Sequence, residues 1–445
     1  MWPMVYRFLL LFAAPFVRLR LRRRARQEPA YGERIEERFG VVPDSVPQRP
    51  LWFHAVSAGE TIGAAPLIER LMRMLADAPV LVTTMTPTGA AQVRSRLPVS
   101  VAHCYAPYDF PAAVRAFYDQ VQPRILVLME TELWPNLLGE ARRRGVPVVL
   151  INGRLSERSA RGYARFASLT RPMFETLTLT CCQYPAHRER FAALGVPRDR
   201  IRVTGNVKFD QTLPPNHGPI VNDWRRQLGL DGRWIWIAAS THDGEDAPLL
   251  DAHQRLLSQW VPGTARPLLL LVPRHPARVS AVVEQVAATG CSHARLSELR
   301  AGPELEAATQ DVIVGDTMGD LLTLYALARI AFVGGSLVPV GGHNPIEPAL
   351  CGVPLLFGPS RFNFQEVCER FERSGALVTV ADAEQLVAAL RRAIDDPAAT
   401  ECQGQDARAV VDDEAGVLLR LQTELLPLLD QVLDPPAAQP ASAAR

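Results

Sequence analysis

The sequence predicts an α/β protein made of two doubly wound, Rossmann-like domains, and three observations carry that expectation. Short apolar, β-branched runs alternate with amphipathic stretches along most of the 445 residues, the pattern of βα units whose strands are covered on both faces. The alternation breaks once, near 210–223, where Pro214, Pro215, Asn216, Gly218 and Pro219 crowd together and read as a linker. Polar residues and glycines then follow strand after strand, and open α/β sheets hold ligands at the carboxyl ends of their strands. The length allows two cores, and two such domains joined by one linker place a cleft between their strand ends.

In chain order, the first domain's strands are expected at 51–56, 80–84, 99–104, 125–129, 146–151 and 177–182. Amphipathic stretches such as 62–75 and 111–121 lie between them. Ahead of these, YGERIEERFG at 31–40 reads as a short charged helix closed by glycine. After the linker, strands are expected at 234–239, 268–272, 312–314, 330–333, 354–357 and 377–380. The resulting division is an N-terminal segment 1–26, a first domain 27–210, a linker 211–232, a second domain 233–430 and a tail 431–445. Its Pro- and Ala-rich composition predicts disorder in the tail.

Composition is ordinary for a globular chain, with 48% hydrophobic and 21% charged residues, and the net charge of +1 gives no reason to expect nucleic acid as a partner. Seven cysteines without a CxxC pair argue against a disulfide framework or a zinc ribbon and for a reducing compartment. Neither HExxH nor a His/Cys cluster with ligand spacing occurs, so no protein-bound metal and no cofactor is expected. The start of the chain is different. FLLLFAAPFV at 8–17 is followed at once by Arg18, Arg20, Arg22, Arg23, Arg24 and Arg26. A secretory signal would carry its charges before the apolar run. Arginines after it favour the cytoplasmic face and anionic lipid. A membrane-anchor helix is expected, either spanning or lying in the interface, against the plainer reading of a buried first helix.

The chemistry-bearing residues sit at the strand ends. After 51–56 comes Ser57-Ala58-Gly59-Glu60, where Glu60 either complements a helix dipole or stands as a general base. After 125–129 comes ETELWPN, with Glu130 and Glu132 placed directly behind a buried strand. INGRLS follows at 151–156, and TGNVKFD at 204–210 places Lys208 beside the linker, within reach of a phosphate or carboxylate if it is not an ordinary surface lysine. In the second half, Ser240-Thr241-His242, Pro273-Arg274-His275-Pro276 and GDTMGDL at 315–321 follow successive strands. Finally IAFVGGSLVPVGGHNPIEP at 330–348 reads as strand, glycine loop and helix start. That arrangement either offers backbone amides to a phosphate or is a glycine-rich turn. No GxxxxGK[ST] loop occurs.

Taken together, SAGE, ETELWPN, INGRLS, TGNVKFD, PRHP, GDTMGDL and GGHNPIEP, in this order, resemble the motifs of the Kdo (3-deoxy-D-manno-octulosonic acid) transferases of Gram-negative bacteria. The resemblance runs from the N-terminal segment to about Val380. It implies a GT-B fold, with an acceptor-binding domain before the linker and a CMP-sugar-binding domain after it. It also implies inverting transfer from CMP-Kdo to lipid IV-A in lipopolysaccharide core synthesis, at the cytoplasmic leaflet of the inner membrane. By the same resemblance Glu60 is the general base, and Glu130 and Lys208 stabilise the transition state. Pro273, Arg274, Met318, Gly319, Asp320, Asn344, Pro345, Ile346 and Glu347 bind CMP. Asp320 stands where the family pattern suggests glutamate, as does Asp243. A GT-B enzyme using a UDP-sugar, or a non-catalytic membrane-tethered sugar-nucleotide binder, would share parts of this pattern.

Overall fold

The structure, a computed structural model, describes residues 2–75, 78–260, 266–302 and 307–434. The chain divides into two compact units, Met1–Asp210 with Ala415–Arg445, and Gln211–Glu414. Each holds a seven-stranded parallel sheet. In the first unit the strands are β1 (Leu51–His54), β2 (Val80–Thr84), β3 (Ala102–Tyr105), β4 (Ile125–Met129), β5 (Val148–Gly153), β6 (Leu177–Cys182) and β7 (Ile201–Val203), ordered 3-2-1-4-5-6-7. In the second they are β8 (Ile235–Thr241), β9 (Leu268–Pro273), β10 (His293–Arg295), β11 (Val312–Val314), β12 (Ile330–Val333), β13 (Leu355–Phe357) and β14 (Leu377–Thr379), ordered 10-11-9-8-12-13-14. In both sheets the order reverses beside the first strand, at β1/β4 and β8/β12, the topological switch points where such folds hold ligands.

The central strands are apolar runs because helices cover both faces. Every residue of β1, β2, β4 and β12 is buried. The edge strands β7 and β10, three residues each, were not expected. Arg202 and Val203 of β7 are exposed, so neither an apolar run nor an alternation announces it. The charged stretch 31–40 is likewise two 3₁₀ turns, Pro29–Gly32 and Ile35–Phe39, rather than one helix, because Arg34 between them adopts a left-handed φ of 54°. Gly40 closes the second turn as expected, at φ 94°.

Two boundaries differ from the sequence reading. Within the expected linker 211–232 lies a helix, His217–Gln227, whose Val221 and Trp224 are buried in a core of the second unit. The prolines and glycine around it mark its start, not an open connection. The second unit also ends at Glu414 rather than 430. The last helix, Val417–Leu433, returns to the first unit because Val417, Leu421, Leu425 and Leu429 form one fully buried stripe at four-residue spacing. Asp210 caps that helix, accepting from the amides of Gly416 (2.6 Å) and Val417 (3.1 Å). The expected disordered tail at 431–445 therefore begins inside this helix, and residues 435–445 lie outside those described.

The N-terminal helix, Trp2–Gln27, is tied to the first unit along its length. Tyr6 donates to Asp109 (2.8 Å), Arg7 to Asn136 (3.1 Å), and Arg18 lies over the Phe39 ring at 4.2 Å. Leu21 is buried, whereas Met4, Phe8, Leu9, Phe12 and Phe16 are exposed. Among the described residues no helix is long and apolar enough to cross a membrane.

Candidate active site

In the first unit, β1 ends at His54 and the chain turns into the helix Ala58–Met74. Ser57 is its N-cap, and its hydroxyl accepts from the Glu60 amide (3.3 Å). The Glu60 carboxylate folds back to accept from the Val56 amide (2.9 Å) and the Ser57 hydroxyl (3.0 Å). This is a variant of the capping box, S-x-x-E, in which the glutamate reaches one residue further back. Glu60 is only 8% exposed. Burial first, then the nearby charges of Glu130 and Glu132, push its pKa up to about 8 against the lowering pull of its two hydrogen bonds.

Those two carboxylates come from the end of β4. Glu130 holds a left-handed φ of 59°, a conformation disfavoured for any residue with a side chain, while its amide still completes the sheet by donating to Ile151 (3.0 Å). Glu132 accepts from the Trp134 indole (3.0 Å), and burial is the main reason its pKa is raised. Trp134 in turn stands edge-on to His54 at 5.1 Å.

The segment bearing Lys208 packs on the same elements. Gly63 of the Glu60 helix faces Met129 and Val207, and a Cβ there would stand 3.1 Å from each. The turn Val207–Asp210 is fixed by Asn152, fully buried at the end of β5, whose Oδ1 accepts from the Val207 amide (3.2 Å). Asn206 accepts from the Lys208 amide (3.1 Å). The segments carrying Glu60, Glu130 and Lys208 thus converge at one end of the first sheet. The sequence reading gave Asn152 no role. Its signal was a polar residue closing an apolar strand run.

In the second unit the ends of β8, β9 and β11 enclose a cavity of about 180 Å³. Of the expected CMP-binding residues, Pro273, Arg274, Met318 and Gly319 line it, together with Ser240 and Thr317. The Thr317 hydroxyl is buried with no hydrogen-bond partner among the described residues, an available donor and acceptor at the cavity wall. Asp320 does not line it and pairs with Arg300 (3.1 Å). Asn344, Pro345, Ile346 and Glu347 do not line it and form the start of the short helix Ile346–Leu350. There Asn344 accepts from the Ile346 amide (3.2 Å) and donates to Glu347 (3.0 Å).

The glycine loop after β12 does not offer its first amides to a ligand. Glu245, fully buried, accepts from the amides of Gly335 (2.7 Å), Ser336 (3.0 Å), Leu337 (2.9 Å) and His242 (2.8 Å). A carboxylate from within the fold occupies the place where a phosphate was expected. Gly334 is needed because a side chain there would collide with the Ser240 carbonyl. Glu245 was missed because an acidic residue just ahead of a helix reads as an ordinary dipole partner.

Comparison with known proteins agrees with this arrangement. Residues 33–211 match a family profile described as 3-deoxy-D-manno-octulosonic-acid transferase (kdotransferase). A 3-deoxy-D-manno-octulosonic acid transferase of Haemophilus influenzae is 36% identical over 97% of this chain and 100% of its own length. One from Bordetella pertussis is 35% identical over 94% of this chain and 97% of its own. Among solved structures, a glycosyltransferase from Rickettsia africae covers 88% of this chain and 100% of its own with a TM-score of 0.58 at 11% identity, a likeness of fold alone. Two parallel-sheet α/β units of the GT-B glycosyltransferase kind, with near full-length relatives above 30% identity, place this chain in the 3-deoxy-D-manno-octulosonic acid transferase family of glycosyltransferases.

Proposed function

We propose that this enzyme transfers Kdo from CMP-Kdo to a hydroxyl of lipid IV-A with inversion at the anomeric carbon, at the cytoplasmic leaflet of the inner membrane, with the second unit holding the donor. The observation that carries the mechanism is the buried Glu60 carboxylate, raised to about 8 and set beside Glu130 and Glu132. CMP leaves as a phosphate monoester and needs no acid to protonate it. What remains is to take the acceptor's proton and to stabilise an oxocarbenium-like centre. A carboxylate with a raised pKa is a stronger base than a solvated one, and once ionised it takes the proton as the oxygen attacks. Glu130 supplies negative charge for the developing cation, and Lys208 supplies positive charge for the departing phosphate or the sugar's carboxylate.

For the donor, Arg274 suits a phosphate and the Thr317 hydroxyl suits a ribose or base edge. For the acceptor, an amphiphile, the exposed stripe Met4, Phe8, Phe12 and Phe16 supports a helix lying in the membrane interface, its arginines at the headgroups. Incubating the purified protein with CMP-Kdo and lipid IV-A and weighing the products tests the reading. A mass gain of Kdo on the lipid, lost in Glu60→Gln, is expected. No transfer by a folded protein that binds CMP would refute it.

A further inference from the structure

Beside the cavity of the second unit, Arg274 stands in a cluster with three histidines to which the site described so far gives no role. His242 follows β8, Arg274 and His275 follow β9, and His343 closes the glycine loop after β12. The Nε2 atoms of His242 and His343 lie 2.8 Å apart with the rings within 7° of parallel, so one imidazole donates its N–H to the other. His275 stands edge-on to His242 at 5.6 Å. This pair is held rigidly. The His343 amide donates to Gly334 (3.1 Å), and the His242 amide is bound by Glu245. The Arg274 amide donates to Thr241, beside His242 (3.0 Å).

Charge makes the cluster unusual. The acids on the neighbouring elements are largely engaged elsewhere. Glu245 is taken up by four backbone amides, and Asp246 is bound by Arg278 and the Thr241 hydroxyl. Glu347 accepts from Asn344, and Asp243 is solvent-exposed. The charges that reach the pair are Arg274, His275 and Arg278 after β9, together with Glu245, which opposes them at His242. Burial first, then the Arg274 guanidinium, holds His343 at about 4, and burial likewise lowers His242, so the unliganded pair is neutral and shares a single N–H. Arg278 is paired with Asp246, and Glu245, whose charge also reaches His242, is held by backbone amides, which leaves Arg274 with no carboxylate partner among the described residues.

We propose that His242 and His343, with Arg274, form an oxyanion subsite that takes up a proton when an acidic group of the sugar nucleotide binds. The inference rests on the second unit being the donor-binding unit. The incoming anion supplies the missing negative charge and raises the affinity of the imidazole pair for a second proton. Each ring then donates its own N–H instead of sharing one. The two possible sources, nucleotide phosphate and sugar carboxylate, share this chemistry.

Isothermal titration of the full chain in buffers of differing ionisation enthalpy reads the proton directly. At pH 7.5, above the phosphate's second pKa of about 6, CMP should bind with net proton uptake, and cytidine with none. His343→Gln should abolish the uptake and weaken CMP by about tenfold, the size of one charge-assisted hydrogen bond. Free Kdo giving the uptake where CMP does not would assign the pair to the sugar carboxylate. CMP and Kdo both binding without proton uptake by the wild-type protein would overturn the subsite while leaving the donor assignment standing. Failure of CMP to bind at all would refute the donor assignment itself.

Discussion

Replacing Glu60 by Gln separates the proposed role of this residue as base from its place at the helix cap. The substitution keeps the side chain's length and one acceptor for the Val56 amide, now 2.9 Å from the carboxylate. It removes the ionisation. In the folded protein the carboxyl group titrates at about 8, against 4.5 for an ordinary glutamate. Between those values the folded state holds a proton that the unfolded chain has released, so wild-type stability falls as pH rises through that window. The shift sets an upper limit of about 5 kcal/mol on that loss. Gln carries no such penalty, so Glu60→Gln should gain on the wild type between pH 5 and 9, as followed by urea unfolding. Turnover should behave differently. For the wild type, kcat/KM should rise with pH and level off above about 8, lying roughly a hundredfold below its plateau at pH 6. For Glu60→Gln it should drop by about 10²–10⁴-fold and lose that pH dependence. A Glu60 that only caps its helix predicts a constant cost of about 1 kcal/mol and near-normal turnover. A folded Gln variant retaining more than a tenth of wild-type activity would refute the argument.

Other perturbations follow from the same geometry. Arg274→Ala should weaken CMP binding by about 10–100-fold in calorimetry, since it removes a charge-assisted contact from the cavity wall. Thr317→Val should leave the melting temperature unchanged, because the hydroxyl has no partner to lose, yet reduce CMP affinity. Glu245→Gln should destabilise the second unit by about 2–3 kcal/mol, because four amides share that carboxylate and an amide accepts with only one oxygen. Leu425→Ala should cost the first unit about 2–5 kcal/mol, measurable by chemical denaturation, as expected for a fully buried leucine.

What the sequence made legible was whatever is local. Twelve of the strands announce themselves, the central ones because strands buried on both faces must be largely apolar, as Ile125–Met129 is. Ser57 and Glu60 could be read as a cap from their spacing alone. Apart from the short edge strands and the break at Arg34, the misses were non-local. Asp210 looked like the last residue before a linker, and nothing nearby says that it caps a helix beginning at Val417. The stripe Val417, Leu421, Leu425, Leu429 has helical spacing, but the sequence reading assigned it to the second domain, since a stripe does not say which core it completes. The glycine loop at 334–342 has the composition of a phosphate cradle, and only Glu245, ninety residues earlier in the chain, decides otherwise.

That last case bears on how to tell a working carboxylate from a structural one when both stand at the start of a helix. Glu245 accepts four backbone N–H groups, and Asp210 accepts at least two at the last helix. Asp109 accepts from the amides of Asn136 and Leu137, and also from the Tyr6 hydroxyl. In each, several donors point at the oxygens and hold the carboxylate in place, although burial still raises Asp109 to about 6. Glu60 has one amide and one hydroxyl, two like charges nearby and little water. It has fewer donors than any of the other three, and burial with the two like charges raises it to about 8, above the 6 of Asp109. Burial alone does not distinguish these residues, since Glu245 is more deeply buried than Glu60. The balance of donors against neighbouring charge does, and it points to Glu60 as the base and to Glu245 as a plug.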